Sequence, residues 1–259
     1  MSLTSYEKQC LDDEGYLVLA GFFDGELQQT LARQVERLFA EEGDQAGSEF
    51  KQEPGARRLA NLVNKGEIFQ QVITNDKILE CVCYVLGSDI KLSSLNARSV
   101  GPDPGGAQPL HCDMAAIPDE LGFWVCNTVW MLDDFSTDNG TLRVVPGSHR
   151  FKQLPQNVMD DPFAPHPKEI LVTAAAGSVI VMNAHLWHSG TANAAGTIRT
   201  AVHGFYCRRD KPQQQYQKQL VDLRVQQQLP AELRELLALD DSRNDELCAS
   251  DLPRSGFLN

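Results

Sequence analysis

Only six histidines occur, at 111, 149, 166, 185, 188 and 203, and one of them stands in His111-Cys112-Asp113. On a strand, residues i and i+2 face the same way, so this spacing lets an imidazole and a carboxylate converge on one point. By itself the pair is weak, because six histidines in an aspartate-rich chain produce such a match by chance often enough. A second feature adds weight: an apolar run ending at Met182 leads into Asn183-Ala-His-Leu-Trp-His-Ser-Gly190, which places His188 77 residues after His111. Two imidazoles and one carboxylate carried by different strands form the facial triad of non-haem Fe(II) oxygenases, which leaves three coordination positions open. Arg199, eleven residues beyond His188, adds a guanidinium able to hold the far carboxylate of a dicarboxylate cosubstrate by a bidentate pair.

The elements that must position these residues are legible in part. Asp24 reads as an N-cap, and Leu27, Leu31, Val35 and Leu38 recur at helical spacing up to Gly43; Asn75 caps a second helix whose apolar face is Ile78, Leu79, Val82, Val85 and Leu86, ended by Gly87. A short strand-like run, Gly15 to Ala20, precedes both. After Gly87 come β-like runs over Ile90–Val100, Phe123–Leu132, Leu142–Val145, Glu169–Thr173, Ser178–Met182 and Thr200–Cys207, separated by Gly, Pro and Asn turns. No helix between them is long enough for a crossover, so antiparallel sheets closed as a sandwich or jelly roll are expected. Gln213–Gln228 and the segment from Pro230 read as helix. The expectation is one domain over 1–259, mainly β with flanking helices: a helical part over about 1–88, a double-stranded β-helix core over about 89–208 and a helical tail over about 209–259.

From about Gly15 to Tyr206 the sequence resembles the phytanoyl-CoA dioxygenase family of Fe(II)/2-oxoglutarate oxygenases. The motifs that carry the resemblance are Gln108-Pro-Leu-His-Cys-Asp113, the run Trp130 to His149, Gly177-Ser-Val-Ile180, and Leu186-Trp-His-Ser-Gly-Thr-Ala-Asn193 with Arg199. The resemblance implies a cupin-like jelly roll, iron on His111, Asp113 and His188, and 2-oxoglutarate held at its C5 end by Arg199 with help from Gln108. It implies O2-dependent hydroxylation coupled to release of succinate and CO2, with desaturation, epimerisation or ring formation as variants. Asp113 matters here, since related halogenases carry a small residue in its place so that chloride can bind. Family members that look alike act on acyl-CoAs, phosphonates, amino-acid derivatives and complex natural products, so the pattern does not fix a substrate.

Other residues have plainer readings. Asn127 alternates with Val129 and Met131 on one strand face, from which its amide can point at the cosubstrate. Trp130 packs beside the cosubstrate or fills the barrel. Cys112 should point away from the metal, His185 reads as a supporting or surface residue, and His149 as a hydrogen bond closing the Pro146-Gly-Ser-His149 turn. Arg57 and Arg58 read as solvated or helix-capping charges, although the resemblance implies that this segment can lie over the pocket mouth, and Gly43–Gly55 and Phe151–Lys168 read as lids or plain loops.

Composition narrows the partners. With 23 Lys and Arg against 35 Asp and Glu the formal charge is −12 and the pI near 4.9, which argues against nucleic acid and anionic lipid and favours a small-molecule substrate. No stretch approaches the roughly 18 apolar residues of a membrane span, and the first residues lack a basic and apolar leader. Seven cysteines without a CxxC pair suit reduced, buried thiols, and a cytoplasmic protein is expected. Two rivals remain beside the oxygenase: a catalytically silent jelly-roll binding or regulatory protein, and an acyl-CoA hydroxylase. The second should need more basic residues at the pocket mouth than the candidate lids offer.

Overall fold

The computed structural model describes residues 2–50, 52–53, 55–102 and 106–249. Helices α1 (Ser5–Gln9), α2 (Gly25–Glu42), α3 (Glu67–Ile73) and α4 (Asp76–Leu86) come first, with strands β1 (Tyr16–Leu19) and β2 (Ala56–Leu59) among them. The strands β3 (Ile90–Val100), β4 (Val125–Met131), β5 (Leu142–Val144), β6 (Ile170–Val172), β7 (Val179–Asn183), β8 (His188–Gly190) and β9 (Arg199–Arg208) follow. Four short helices close the described chain: α5 (Gln217–Leu220), α6 (Leu223–Gln228), α7 (Ala231–Leu236) and α8 (Ser242–Cys248). The caps fall where the sequence puts them: the Asp24 side chain accepts from Leu27 N, and that of Asn75 from Lys77 N and Ile78 N.

Two antiparallel sheets face each other. The larger runs β1-β7-β4-β9-β3-β2 and the smaller β6-β5-β8, which is the expected jelly-roll arrangement with helices packed on one side. The segment before residue 88 is more than a helical flank, since it supplies both edge strands of the larger sheet. Tyr16–Leu19 pairs with β7, and Ala56–Leu59 with β3.

Strand parity divides the molecule into two apolar layers. Leu92, Leu95, Cys126, Trp130, Val179, Val181, Val202 and Tyr206 face the helices and form the main core with Leu31, Val35, Ile78 and Val82. Val129, Met131, Ile180, Met182 and Ala201 face inward and meet Val144 and Val172 of the smaller sheet. The inward faces of β3, β4 and β9 near the mouth carry polar groups instead, and these line the site.

The predicted helix over Gln213–Gln228 is corrected. Residues 213–216 are not helical, and helix begins only at α5, is interrupted, and resumes as α6. The register of β3 against β9 shifts between Leu92 and Ser94, which frees Ser93 from the ladder. The glutamine segment satisfies it: Gln215 N donates to Ser93 O at 3.0 Å and Gln214 N to Ser93 Oγ at 2.6 Å. Gln213 Nε2 donates to Leu92 O at 2.7 Å, and Gln215 Nε2 to Asn96 Oδ1 at 2.7 Å. Buried backbone must find partners, and long amide side chains supply them here better than a helix would. The tail beyond residue 249 lies outside the described residues.

Candidate active site

His111 pairs with His188 as an isolated antiparallel bridge, the two exchanging N–H···O bonds of 3.0 Å, so the first histidine extends the smaller sheet beyond β8. Asp113 N donates to Ala184 O at 3.0 Å, and Met114 and Ala115 then take left-handed φ of 54° and 50°. Consecutive non-glycine residues in that region are strained, and they turn the chain sharply away after the carboxylate.

The three side chains converge as the sequence predicts. One ligating atom of each of His111, Asp113 and His188 lies within 4.8 Å of the others. His111 Nε2 stands 3.8 Å from Asp113 Oδ1, and His188 Nε2 3.5 Å from Asp113 Oδ2. Each ring is held from behind, with Nδ1 2.8 Å from a backbone carbonyl, Pro109 O for His111 and Leu186 O for His188. A carbonyl only accepts, so both Nδ1 atoms carry the hydrogen and both Nε2 atoms face the carboxylate. Asn127 Nδ2 donates to Asp113 Oδ2 at 3.2 Å and steadies that carboxylate.

The electrostatics match this donor set. Burial disfavours charge on Asp113, yet the two imidazoles and Asn127 outweigh it and hold its pKa down to about 2. Burial and then the neighbouring His188 push His111 down to about 4, so it stays neutral; His188 is raised, because the attraction of Asp113 overcomes its burial. Two imidazole Nε2 atoms and one carboxylate in a buried pocket would hold a divalent iron.

Arg199 lies in that cavity, 3% exposed, with its guanidinium 4.3 Å from the centroid of Phe135. Its Nη2 donates to Gly140 O, and its buried Nε has no partner. Burial and the nearby Arg98 lower its pKa to about 9, with Asp133 and Glu53 offsetting them only in part; among the described residues it makes no salt bridge. Two other buried arginines, Arg98 and Arg143, are already engaged. Arg98 forks onto Glu53, and Arg143 donates to Glu169, Ser189 and Pro162 O.

Gln108 reaches the cavity wall, where its Oε1 accepts from Gly190 N at 3.0 Å and its Nε2 donates to Glu53 at 2.7 Å. Trp130 is not brought there. It sits on the face of β4 opposite Asn127 and Val129, 1% exposed, with ring centroids 5.7 Å from Phe22 and 5.2 Å from Phe23. The expectation of cosubstrate contact through Trp130 is therefore corrected by period-two alternation: positions 127, 129 and 131 face the cavity side, and 130 faces the helices. Trp130→Ala should cost about 3–5 kcal/mol in chemical denaturation while leaving 2-oxoglutarate affinity unchanged in the folded fraction. A selective loss of cosubstrate affinity without destabilisation would contradict this placement.

Arg58 is corrected as well. It lines the cavity and donates to Glu53 at 2.6 Å, whereas Arg57 points out, pairs with Glu36 and stacks on Phe39. Cys112 points away from the three ligands, its Sγ donating to His185 O. His185 is buried among Phe123 and Trp124 with Nδ1 on Asn183 Oδ1, so it is neither ligand nor surface. His149 closes its turn onto the Cys10–Glu14 segment through Asp12 O. The residues that sequence reasoning passed over are Glu53 and His203; His203 lines the cavity from β9, its Nε2 buried without a partner.

A two-histidine, one-carboxylate face at the mouth of a jelly roll, beside a buried arginine that makes no salt bridge among the described residues, is the site architecture of non-haem iron, 2-oxo-acid-dependent oxygenases. The family model described as Phytanoyl-CoA dioxygenase (PhyH) matches residues 11–201, and the chain belongs to that family. Among curated relatives, "Dioxygenase af480" of Aspergillus fumigatus is 25% identical over 195 residues, covering 72% of this chain and 60% of its own length. "Iron/alpha-ketoglutarate-dependent dioxygenase okaE" of Penicillium ochrochloron is 26% identical over 201 residues, covering 72% and 64%. The chain thus spans less than two thirds of the length of these relatives. HygX from Streptomyces hygroscopicus, solved with nickel and 2-oxoglutarate bound, superposes with a TM-score of 0.65 over 82% of this chain and 90% of that one. At 17% identity this likeness is one of fold.

Proposed function

We propose that this chain is a non-haem Fe(II)/2-oxoglutarate-dependent dioxygenase that hydroxylates a small-molecule substrate and releases succinate and CO2. The observation that carries the reading is the convergence of His111, Asp113 and His188 in one cavity with Arg199, whose guanidinium makes no salt bridge among the described residues. Iron(II), when bound, would supply O2 activation and removal of a substrate hydrogen.

The chain's own residues prepare that chemistry. The Pro109 and Leu186 carbonyls fix both imidazoles with Nε2 forward, and Asn127 holds Asp113 against rotation. Arg199 would hold the C5 carboxylate of 2-oxoglutarate through a charge-assisted pair, with Gln108 on the neighbouring wall to support it. A carboxylate at 113 fills the position a halide would take, which favours hydroxylation. A silent scaffold is disfavoured, because burying a guanidinium without a salt bridge is costly unless a ligand repays it.

A natural product or amino-acid derivative suits the site better than an acyl-CoA. Several basic residues just beyond the first candidate lid are already paired, Arg57 with Glu36, Arg58 with Glu53 and Lys65 with Glu42 and Glu49, so they are not free for the CoA phosphates. A small molecule is also what one HygX structure holds, hygromycin B beside nickel and 2-oxoglutarate. No described helix is long and apolar enough to cross a membrane. Location in the cytoplasm belongs to this reading and is supported by seven cysteines that form no disulfide among the described residues. The test is succinate formation from 2-oxoglutarate by Fe(II)-loaded protein, then a substrate screen for stimulation. Absence of both 2-oxoglutarate binding and succinate would overturn the reading.

A further inference from the structure

Glu53 is 5% exposed at its side chain, in a stretch whose composition reads as a surface loop. Its Oε1 accepts from Arg98 Nη2 and Gln108 Nε2, both at 2.7 Å, and its Oε2 from Arg98 Nε at 3.0 Å and Arg58 Nε at 2.6 Å. Four donors saturate the four acceptor sites of a carboxylate. Glu53 therefore has no capacity left for a ligand and acts on its neighbours.

What it does to those neighbours follows from the register. Arg58 and Arg98 are direct cross-strand partners in the β2–β3 pair, and like charges placed opposite each other repel. Glu53 bridges that pair and offsets one of its two charges, so the donors of Arg58 and Arg98 that face it are engaged and compete less with Arg199 for a dicarboxylate. It also fixes the Gln108 amide. With Nε2 on Glu53, the Gln108 Oε1 is left to accept from Gly190 N, two residues past His188. One amide hydrogen of Gln108 remains for the cosubstrate. Glu53 in this way ties the β2–β3 edge of the larger sheet to β8 of the smaller.

We propose that Glu53 is a positioning residue for 2-oxoglutarate, acting through the orientation of Gln108 and its bridge between Arg58 and Arg98. This rests on the oxygenase reading above. Glu53→Gln keeps the shape and removes the charge. In the Ni(II)-loaded protein, calorimetry should show 2-oxoglutarate affinity about tenfold weaker, the low end of what supporting residues around a metal typically contribute, with Ni(II) affinity within about twofold of wild type. Gln108→Ala breaks the same contact from the other end, with the arginine pair still bridged by Glu53. Because Glu53 acts partly through Gln108, the double variant should be weakened by clearly less than the product of the two single effects. Unchanged or tighter binding in Glu53→Gln, or fully multiplicative single effects, would overturn the proposal. If Glu53→Gln does not fold, a normal 2-oxoglutarate affinity in Gln108→Ala overturns it instead. Wild-type protein that fails to bind 2-oxoglutarate at all would remove the oxygenase reading itself, a result distinct from any of these.

Discussion

Alanine at His111, Asp113 or His188 is expected to lower iron affinity by more than about 100-fold and to abolish 2-oxoglutarate turnover. Residues that merely support metal ligands typically contribute 10- to 100-fold, and removal of a ligand should exceed that. The three need not behave alike. Asp113 carries the only negative charge of the set, and its two oxygens face both imidazoles at 3.8 and 3.5 Å. Its loss leaves a neutral face to hold a dication, so Asp113→Ala should be the weakest binder of the three. Asp113→Asn separates charge from shape: the amide keeps the volume, and iron retention should still fall. Equilibrium dialysis followed by metal analysis checks this directly. A variant that retained stoichiometric iron and full turnover would be struck from the ligand set.

How much of this was legible in the sequence depends on the range of the interaction concerned. The span Ile90–Val100 and the caps at Asp24 and Asn75 come from local pattern, and the structure has β3, α2 and α4 there. β2 and β8 were missed for physical reasons. Ala56-Arg-Arg-Leu59 lacks apolar alternation because Arg58 faces a buried carboxylate rather than a core, and His188-Ser-Gly190 is three residues chosen for coordination and close packing. Helices α1 and α3 are short and take their stability from contacts that periodicity does not record. At the site, the spacing of His111 and Asp113 is a local signal, whereas nothing near Glu53 announces that it meets Arg98 45 residues away. Trp130 is the instructive case, because its sidedness was available. The alternation that turns Asn127 toward the cavity turns Trp130 toward the helices, and the same rule applied one residue further would have placed it.

Arg199→Ala is expected to weaken 2-oxoglutarate binding by about 30-fold to several thousand-fold with iron retained. Loss of a buried, charge-assisted bidentate pair typically costs roughly 2–5 kcal/mol, and each 1.4 kcal/mol is about tenfold. The geometry explains why the effect should fall on this arginine. Arg98 is paired with Glu53 and Arg143 is bound to Glu169 and to carbonyls, whereas Arg199 has a carbonyl on Nη2, the face of Phe135 beside it and an unpartnered Nε. Arg199→Lys should recover only part of the loss, since an ammonium cannot reproduce the fork. Removing a buried cation that makes no salt bridge among the described residues also relieves its desolvation penalty, so the alanine variant should be at least as stable to denaturant as wild type in the absence of 2-oxoglutarate and should gain far less stability when it is added. Calorimetric titration of the metal-loaded protein, with and without the substitution, separates these effects. An affinity that hardly moved would shift the clamp to Arg98, which would then have to exchange Glu53 for the cosubstrate.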